Sequence, residues 1–289
     1  MYSYSITGIT GQVGGAVAHA LLTAGKSVRA VVRDPAKGAR WTAQGCGLAV
    51  AEMDDVPALT AAFTGAEGVF VLLPSSFDPA PGFPEVRRLA AGLRTALAAA
   101  SPARVVCLST IGAQASQENL LTQLSILEQE LGKLRMPVTF LRPAWFMENA
   151  SWDVAAAREK GLIASFLQPL DRSFPMVATA DVGHVVAELL QEKSPVARVV
   201  ELEGPNRVTP RQIGNTLAAI LGRSVRTEAV PREAWHDLFI SQGMKHPHPR
   251  MQMLDGFNQG WIEFEHGVEG SRKGTVALET VLGSLVMRA

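Results

Sequence analysis

The chain has 289 residues, which is enough for one large α/β domain or for a nucleotide domain with a smaller companion. Its 27 Lys plus Arg balance 27 Asp plus Glu, which argues against a strongly basic surface for nucleic acid or membrane. With two cysteines, no long apolar run and no basic-then-apolar N-terminus, we expect a cytoplasmic protein without disulfides.

Strand and helix patterns alternate through the first half of the chain. The predicted strands cover 2–7, 27–32, 47–51, 68–73, 104–109 and 137–142. The predicted helices lie between them, from Val13 to about Ala24 and over 36–44, 56–63, 85–99 and 119–134. Buried strands alternating with helices predict an α/β fold with a doubly wound parallel sheet, Rossmann-like in type.

The alternation ends after Arg142-Pro143. An aromatic loop and a helix are expected over 144–160, followed by an irregular stretch over 161–176. Asp181 is the expected cap of a further helix, and Val199–Leu202 is a strand expected to rejoin the sheet. Thr209-Pro210 opens another helix, and the tail is rich in helix and loop.

This change of pattern predicts two units. The dinucleotide-binding domain is expected to cover 1–146, with 177–202 rejoining it. A smaller, mostly helical C-terminal lobe is expected to comprise 147–176 and 203–289 and to cover the carboxyl ends of the strands.

A glycine-rich turn follows the first predicted strand. Gly8, Gly11 and Gly14 recur three residues apart in Thr7-Gly8-Ile9-Thr10-Gly11-Gln12-Val13-Gly14, and a helix begins beside them. Such a turn lets backbone N–H groups approach a phosphate, and the helix N-terminus adds partial positive charge. Strand, turn and helix in this order predict a dinucleotide site.

The end of the second predicted strand bears on the choice between NADP(H) and NAD(H). Arg33 comes first after Val32 and can pair with a 2′-phosphate, and Lys37 lies one helical turn further on. Asp34 keeps a ribose 2′-hydroxyl contact, and hence NAD(H), open. We predict a preference for NADP(H).

Several segments together resemble the NmrA-like family of atypical short-chain dehydrogenase/reductases. The glycine turn is shared with many reductases, whereas Leu141-Arg142-Pro143-Ala144-Trp145-Phe146-Met147-Glu148-Asn149 is more specific. The remaining segments are Val31-Val32-Arg33-Asp34-Pro35, Asp181-Val182-Gly183 and Phe257-Asn258-Gln259-Gly260. The family includes quinone and azo-compound reductases and also cofactor-binding regulators of partner proteins.

The resemblance implies positions for the cofactor. The residues that would cradle the pyrophosphate are Gly8, Thr10, Gly11, Gln12, Val13 and Gly14. Arg33 and Lys37 would hold the 2′-phosphate, and Asp54 would lie near the adenine. The residues that would line the nicotinamide half are Leu73, Pro74, Ser109, Pro143 and Phe146.

The usual catalytic pair of short-chain dehydrogenases is missing. That pair is Tyr-x-x-x-Lys, in which the tyrosine exchanges the proton. The two tyrosines of this chain, Tyr2 and Tyr4, both lie in the first predicted strand. Gln123 stands where many NmrA-like relatives have a lysine, whereas the recurrent acid of that helix is kept as Glu128. We therefore assign no catalytic residue.

Candidate substrate contacts are Ser75, Gln123, Trp145 and Asn149. For Trp145 packing is the alternative, and for Asn149 it is a helix cap. Ser109 either bonds the nicotinamide ribose or ends its strand. His246 and His248 lack a third ligand in the sequence, so no metal is expected.

Two functions remain open. The first is reduction of a quinone-like or other flat electrophile by NADPH, which needs hydride transfer but no catalytic tyrosine. The second is a non-catalytic redox sensor that binds NADP(H) and a protein partner, and epimerase or dehydratase chemistry has less support. A small aromatic substrate is the expected partner, with neither nucleic acid nor membrane, and the oligomeric state stays open.

Overall fold

A computed structural model describes residues 3–74, 76–193 and 196–289 of the chain. The strands, numbered in chain order, are β1 (Tyr4–Ile6), β2 (Val28–Val32), β3 (Gly47–Val50), β4 (Gly68–Val71), β5 (Arg104–Leu108), β6 (Val138–Pro143), β7 (Trp145–Phe146), β8 (Leu162–Ser165), β9 (Met176–Val177), β10 (Arg198–Glu203), β11 (Arg226–Ala229) and β12 (Arg272–Lys273). The α-helices are α1 (Gln12–Thr23), α2 (Pro35–Thr42), α3 (Val56–Phe63), α4 (Pro84–Ala100), α5 (Thr122–Leu131), α6 (Ser151–Lys160), α7 (Thr179–Leu190), α8 (Pro210–Leu221), α9 (Trp235–Ser241), α10 (His248–Gln259), α11 (Gly267–Gly270) and α12 (Leu278–Arg288). Short 3-10 helices cover Met147–Ala150 and Arg232–Ala234.

The main sheet is parallel and has eight strands among the described residues, in the order β12-β10-β6-β5-β4-β1-β2-β3. Strand β1 lies between β2 and β4, with Tyr4 opposite both Val28 and Gly68. The chain direction across the sheet therefore reverses between β1 and β4, which is the switch point where nucleotides bind in such folds. The predicted fold class is confirmed.

Helices cover both faces of this sheet because successive strand residues point to opposite sides. Phe70 belongs to the core that includes residues of α1 and α7, whereas Val69 and Val71 pack in the core that includes residues of α3, α4 and α5. Both cysteines, Cys46 and Cys107, are buried free thiols. No helix in the described ranges is both long and apolar enough to cross a membrane.

The expected return of the chain to the sheet is confirmed, because β10 pairs with β6. Other parts of the C-terminal half differ from expectation. The stretch predicted as irregular over 161–176 contains β8, which pairs in parallel with the exposed strand β11. Strand β12 extends the main sheet beside β10 with residues that carry no apolar pattern. The division into a dinucleotide domain and a lobe stays a prediction.

Asp181 is not the cap of α7, contrary to the sequence prediction. It lies in the first turn of the helix, and Glu148 takes the capping position instead, its Oε1 accepting hydrogen bonds from the amide and hydroxyl of Thr179. The Asp181 carboxylate accepts from the amides of Thr275 and Val276, at 3.0 and 3.1 Å. The carboxylate therefore fastens the C-terminal tail to the main domain.

Candidate functional site

The glycine turn between β1 and α1 leaves no room for side chains. Gly8 has φ of +61°, and a Cβ there would lie 2.9 Å from the side chain of Leu72. A Cβ on Gly14 would lie 2.3 Å from the carbonyl oxygen of Gly8. The first turn of α1 therefore packs directly on the loop backbone, as close approach to a pyrophosphate requires.

The N-terminus of α1 is open to an anion. Its N-cap is Gly11, and within the described residues no side chain caps the first turn. The unpaired N–H groups of this turn and the helix dipole favour negative charge. The predicted pyrophosphate residues lie at this turn, with Thr10, Gly11 and Gln12 exposed, so the residues present fit a bound dinucleotide.

The end of β2 presents cations beside this turn. Arg33 and Lys37 are exposed, and neither side chain pairs with another described residue. Asp34 caps α2, its Oδ1 accepting from the amide of Ala36 at 2.9 Å. One oxygen of the carboxylate that kept NAD(H) open therefore caps α2, and Arg33 lies exposed directly before it at the end of β2.

Arg40 is a further cation that the sequence reading missed. Its guanidinium donates to the carbonyl of Thr10 at 3.3 Å and lies over the ring of Trp41. Its position one helical turn after Lys37 could have identified it from the sequence.

Asp54, the predicted adenine contact, is exposed and pairs with Arg88 at 2.9 Å. The hydrogen bond from Arg88 lowers the pKa of the Asp54 carboxyl.

A cavity of about 420 Å³ lies at the carboxyl ends of β4, β5 and β6. The residues predicted for the nicotinamide half and the substrate line it together, and these are Leu73, Pro74, Ser109, Gln123, Pro143, Trp145, Phe146 and Asn149. Ser75 lies outside the described residues. Segments distant in the chain complete the wall, including Phe166 after β8 and Phe257 of α10.

Aromatic side chains form much of this wall. Trp145 stands edge-on to Phe257 with ring centroids 5.3 Å apart. Phe77 and Trp152 meet in a similar geometry at 6.2 Å and are 49% and 63% exposed, which places them at the mouth. The wall of the cavity is thus largely aromatic and apolar.

Ser109 is held by a buried ion pair. Its hydroxyl donates to Oε1 of Glu128, and both carboxylate oxygens of Glu128 accept from Arg142, at 2.9 and 2.7 Å. The second amino group of Arg142 pairs with Glu265 of the tail. Glu128 thus fixes the strand ends at the cavity floor.

Gln123 does not place a charge where relatives have a lysine. Its side-chain amide donates to the carbonyls of Ser76 and Leu120, each at 3.0 Å. It therefore holds the segment after β4 against α5.

Asn258 of the Phe-Asn-Gln-Gly segment joins α10 to the segment after β8. Its side chain donates to the carbonyl of Phe166 and accepts from the amide of Gln168.

Asp153 and Arg250 are the ionisable side chains among the described residues that line the cavity, and the sequence reading missed both. Asp153 lies in the first turn of α6 and has no hydrogen-bond or ion-pair partner in the described ranges. Burial raises the pKa of its carboxyl to about 6.

Arg250 projects from α10 and stacks on aromatic rings. Its guanidinium lies 4.4 Å from the centroid of Phe239 and 5.9 Å from that of Phe166. Its hydrogen bond to a described residue goes to the sulfur of Met244, a weak acceptor. Burial lowers the pKa of the Arg250 guanidinium.

Known proteins of similar sequence are reductases. The NAD(P)H azoreductase of Xenophilus azovorans is 28% identical over 241 residues, which cover 83% of this chain and 81% of that protein. The (4-alkanoyl-5-oxo-2,5-dihydrofuran-3-yl)methyl phosphate reductase of Streptomyces griseus is 31% identical over 249 residues, covering 84% and 82%.

A solved structure shares the fold over almost the whole chain. The NADPH-dependent quinone oxidoreductase of Escherichia coli, in complex with NADPH, superposes with a TM-score of 0.79 at 23% identity, covering 98% of this chain and 99% of that one. The model of the NmrA-like family matches residues 4–272. The resemblance inferred from sequence is thereby confirmed, and this protein belongs to the NmrA-like family.

Proposed function

We propose that this protein is an NADPH-dependent reductase of quinone-like or other flat electrophilic acceptors, which works without a Tyr/Lys pair. The observation that carries the proposal is the aromatic cavity at the ends of β4, β5 and β6, beside a turn built for a dinucleotide. Relatives named as an azoreductase and as a reductase of a (dihydrofuranonyl)methyl phosphate support the reaction class.

Each part of the site has a role in this reaction. The open N-terminus of α1 holds the pyrophosphate, and Arg33 with Lys37 selects the 2′-phosphate. Bound NADPH supplies a hydride, so a quinone, NADPH and one proton give a hydroquinone and NADP⁺. The aromatic walls stack the acceptor and exclude water, while the pair of Glu128 and Arg142 holds the strand ends in place.

The test is oxidation of NADPH by the purified protein against a panel of quinones, azo dyes and activated enones, with and without added flavin. Turnover of at least one class is expected in the absence of flavin. Tight NADPH binding with no turnover of any acceptor would contradict the reductase proposal. That result would favour the redox sensor, whose mark is cofactor-dependent capture of a protein partner.

A further inference from the structure

We propose that Arg250 forms a subsite for an anionic group of the acceptor, so that this reductase prefers flat acceptors carrying a sulfonate, carboxylate or phosphate. The inference rests on the proposed reductase function and deepens it. A cation inside a largely apolar cavity loses hydration that must be replaced, and a bound anion replaces it.

The positive charge of Arg250 is not balanced by a neighbouring carboxylate among the described residues. Among the described residues no carboxylate pairs with it, whereas Arg232, which also stacks on an aromatic ring, forms a two-point pair with Asp255. The stacking on Phe166 and Phe239 fixes the plane of the Arg250 guanidinium and leaves its N–H donors available.

Asp153 does not neutralise Arg250, although both line one cavity. Among the described residues, no hydrogen bond or ion pair joins the two side chains. The cavity therefore holds a carboxyl and a guanidinium at separate places. An acceptor that is anionic at one end and reducible at the other matches this arrangement.

A matched pair of acceptors tests the subsite: 1,4-naphthoquinone and its 2-sulfonate, reduced by wild type and by Arg250→Met. Loss of a charge-assisted hydrogen bond to the sulfonate is expected to lower kcat/KM by ~10- to 100-fold for the sulfonate, and little for the parent quinone. Arg250→Lys keeps the positive charge but loses the two-point geometry of the guanidinium. Its kcat/KM for the sulfonate is expected to lie between those of wild type and Arg250→Met. Arg232→Met removes a cation from the same lobe outside the cavity and is expected to leave both acceptors unchanged.

A binding measurement separates this inference from the reductase proposal. Naphthalene-2-sulfonate cannot be reduced by hydride, and calorimetry on the NADP⁺-loaded protein is expected to give a Kd that Arg250→Met raises ~10-fold or more. Equal loss for both quinones, or unchanged naphthalene-2-sulfonate binding in Arg250→Met, would overturn the subsite. Absence of quinone turnover with Arg250-dependent sulfonate binding would overturn the reductase proposal alone.

A second observation stands independently: the Asp153 carboxyl lines the cavity and has no hydrogen-bond or ion-pair partner among the described residues. We infer that Asp153 donates the proton that completes reduction of acceptors whose hydride adduct is a strong base. With an azo compound, hydride forms one N–H bond and leaves an anionic nitrogen. The Asp153 O–H bond then breaks, the second N–H bond forms, and the carboxylate recovers a proton from water at the mouth beside Trp152.

The chemistry of the acceptor separates this role from a structural one. A triarylmethane dye cation becomes neutral on taking hydride and needs no proton, whereas an azo dye does. Asp153→Asn is expected to lower kcat for azo dyes by ~100-fold, the size typical of general acid catalysis, and to leave kcat for the cationic dye within about twofold. Asp153→Glu is expected to recover part of the azo activity.

The pH profile gives a second readout. In wild type, azo turnover is expected to fall as pH rises above 6, because the carboxyl loses its proton. Asp153→Asn is expected to remove this dependence; Arg250, the other ionisable group lining the described cavity, keeps its charge in this range. Three results would each overturn the assignment: equal losses of kcat for both dyes in Asp153→Asn, an unchanged pH dependence of azo turnover in that variant, or no turnover by wild type of any acceptor whose hydride adduct is a strong base.

Discussion

Arg142 of β6 and Glu128 of α5 form a buried two-point ion pair, with Nε to Oε1 at 2.9 Å and Nη2 to Oε2 at 2.7 Å. The two side chains are 6% and 12% exposed. Since Ser109 bonds the same carboxylate, the pair joins β5, β6 and α5 beneath the cavity. Arg142 and Glu128 lie 14 residues apart in the chain, and the family resemblance had singled out both.

Breaking this pair is expected to be costly. Arg142→Met leaves the Glu128 carboxylate buried without its cation and is expected to lower the free energy of unfolding by about 3–5 kcal/mol. Adding Glu128→Gln to Arg142→Met is expected to restore part of that loss, because no charge then stays buried. Denaturant unfolding of the single and double variants measures both. As a control, Arg88→Met breaks the exposed pair with Asp54, and a much smaller loss in the free energy of unfolding is expected.

The glycine turn gives a sharp comparison between neighbours. Gly14→Ala forces a Cβ to 2.3 Å from the carbonyl oxygen of Gly8 and must move the loop backbone. The same change at Gly15 meets its nearest atom, the carbonyl oxygen of Ile9, at 3.4 Å. Gly14→Ala is therefore expected to weaken NADPH binding by ~10-fold or more, whereas Gly15→Ala stays close to wild type. Similar Kd values for the two variants, measured by NADPH fluorescence, would contradict this account of the turn.

Arg33 decides the cofactor preference in our proposal. Removing an exposed guanidinium from a 2′-phosphate contact is expected to raise the Kd for NADPH ~10-fold and to leave that for NADH nearly unchanged. Lys37→Ala is expected to act in the same direction with a smaller effect. Because both groups are exposed, the NADPH preference is expected to shrink as salt rises. Equal affinities of wild type for NADPH and NADH would reject the assignment.

The parts of this molecule that local sequence determines were predictable. The glycine turn, the buried strands and the helix start at Thr209-Pro210 follow from spacing within a few residues. In the structure the Thr209 hydroxyl accepts a hydrogen bond from the amide of Gln212 in its own helix. The doubly wound parallel sheet followed from the alternation of strands and helices together with the crossover rule.

Contacts between distant segments escaped prediction. Asp181 looks like a cap from its neighbours, but its acceptors are taken by amides of Thr275 and Val276. Likewise Asp153 and Arg250 look like ordinary surface charges in the sequence. Only the packing of α6 and α10 around the strand ends makes them cavity residues. What marks such residues is a polar side chain that lines a cavity without a partner, and only the three-dimensional structure shows this.

The Asp153 carboxyl is also expected to lower the free energy of unfolding, by an amount that increases with pH. Its folded-state pKa of about 6 lies above the ordinary value of 3.8, so the folded protein favours the protonated form. The penalty is absent well below pH 4, grows as pH rises toward 6 and is complete above it. Asp153→Asn is therefore expected to raise the free energy of unfolding at pH 8 by about 1–2 kcal/mol relative to pH 4.5, below the full value for the shift because the group is partly exposed.

Asp78 provides the control of opposite sign. Burial alone would raise the pKa of its carboxyl, but hydrogen bonds from the amides of Lys245 and His246 lower it further than burial raises it. The folded state thus favours the ionised form, and this contribution is present above pH 4 and lost as pH falls. Asp78→Asn is expected to destabilise the protein at pH 8 more than at pH 4.5. Both variants are compared with wild type by urea unfolding at the two pH values. Equal gains for Asp153→Asn at pH 4.5 and pH 8 would show that the Asp153 carboxylate carries no buried-charge penalty. A gain that is larger at pH 8, with the opposite trend for Asp78→Asn, would show that the Asp153 carboxyl lowers stability where it lines the cavity.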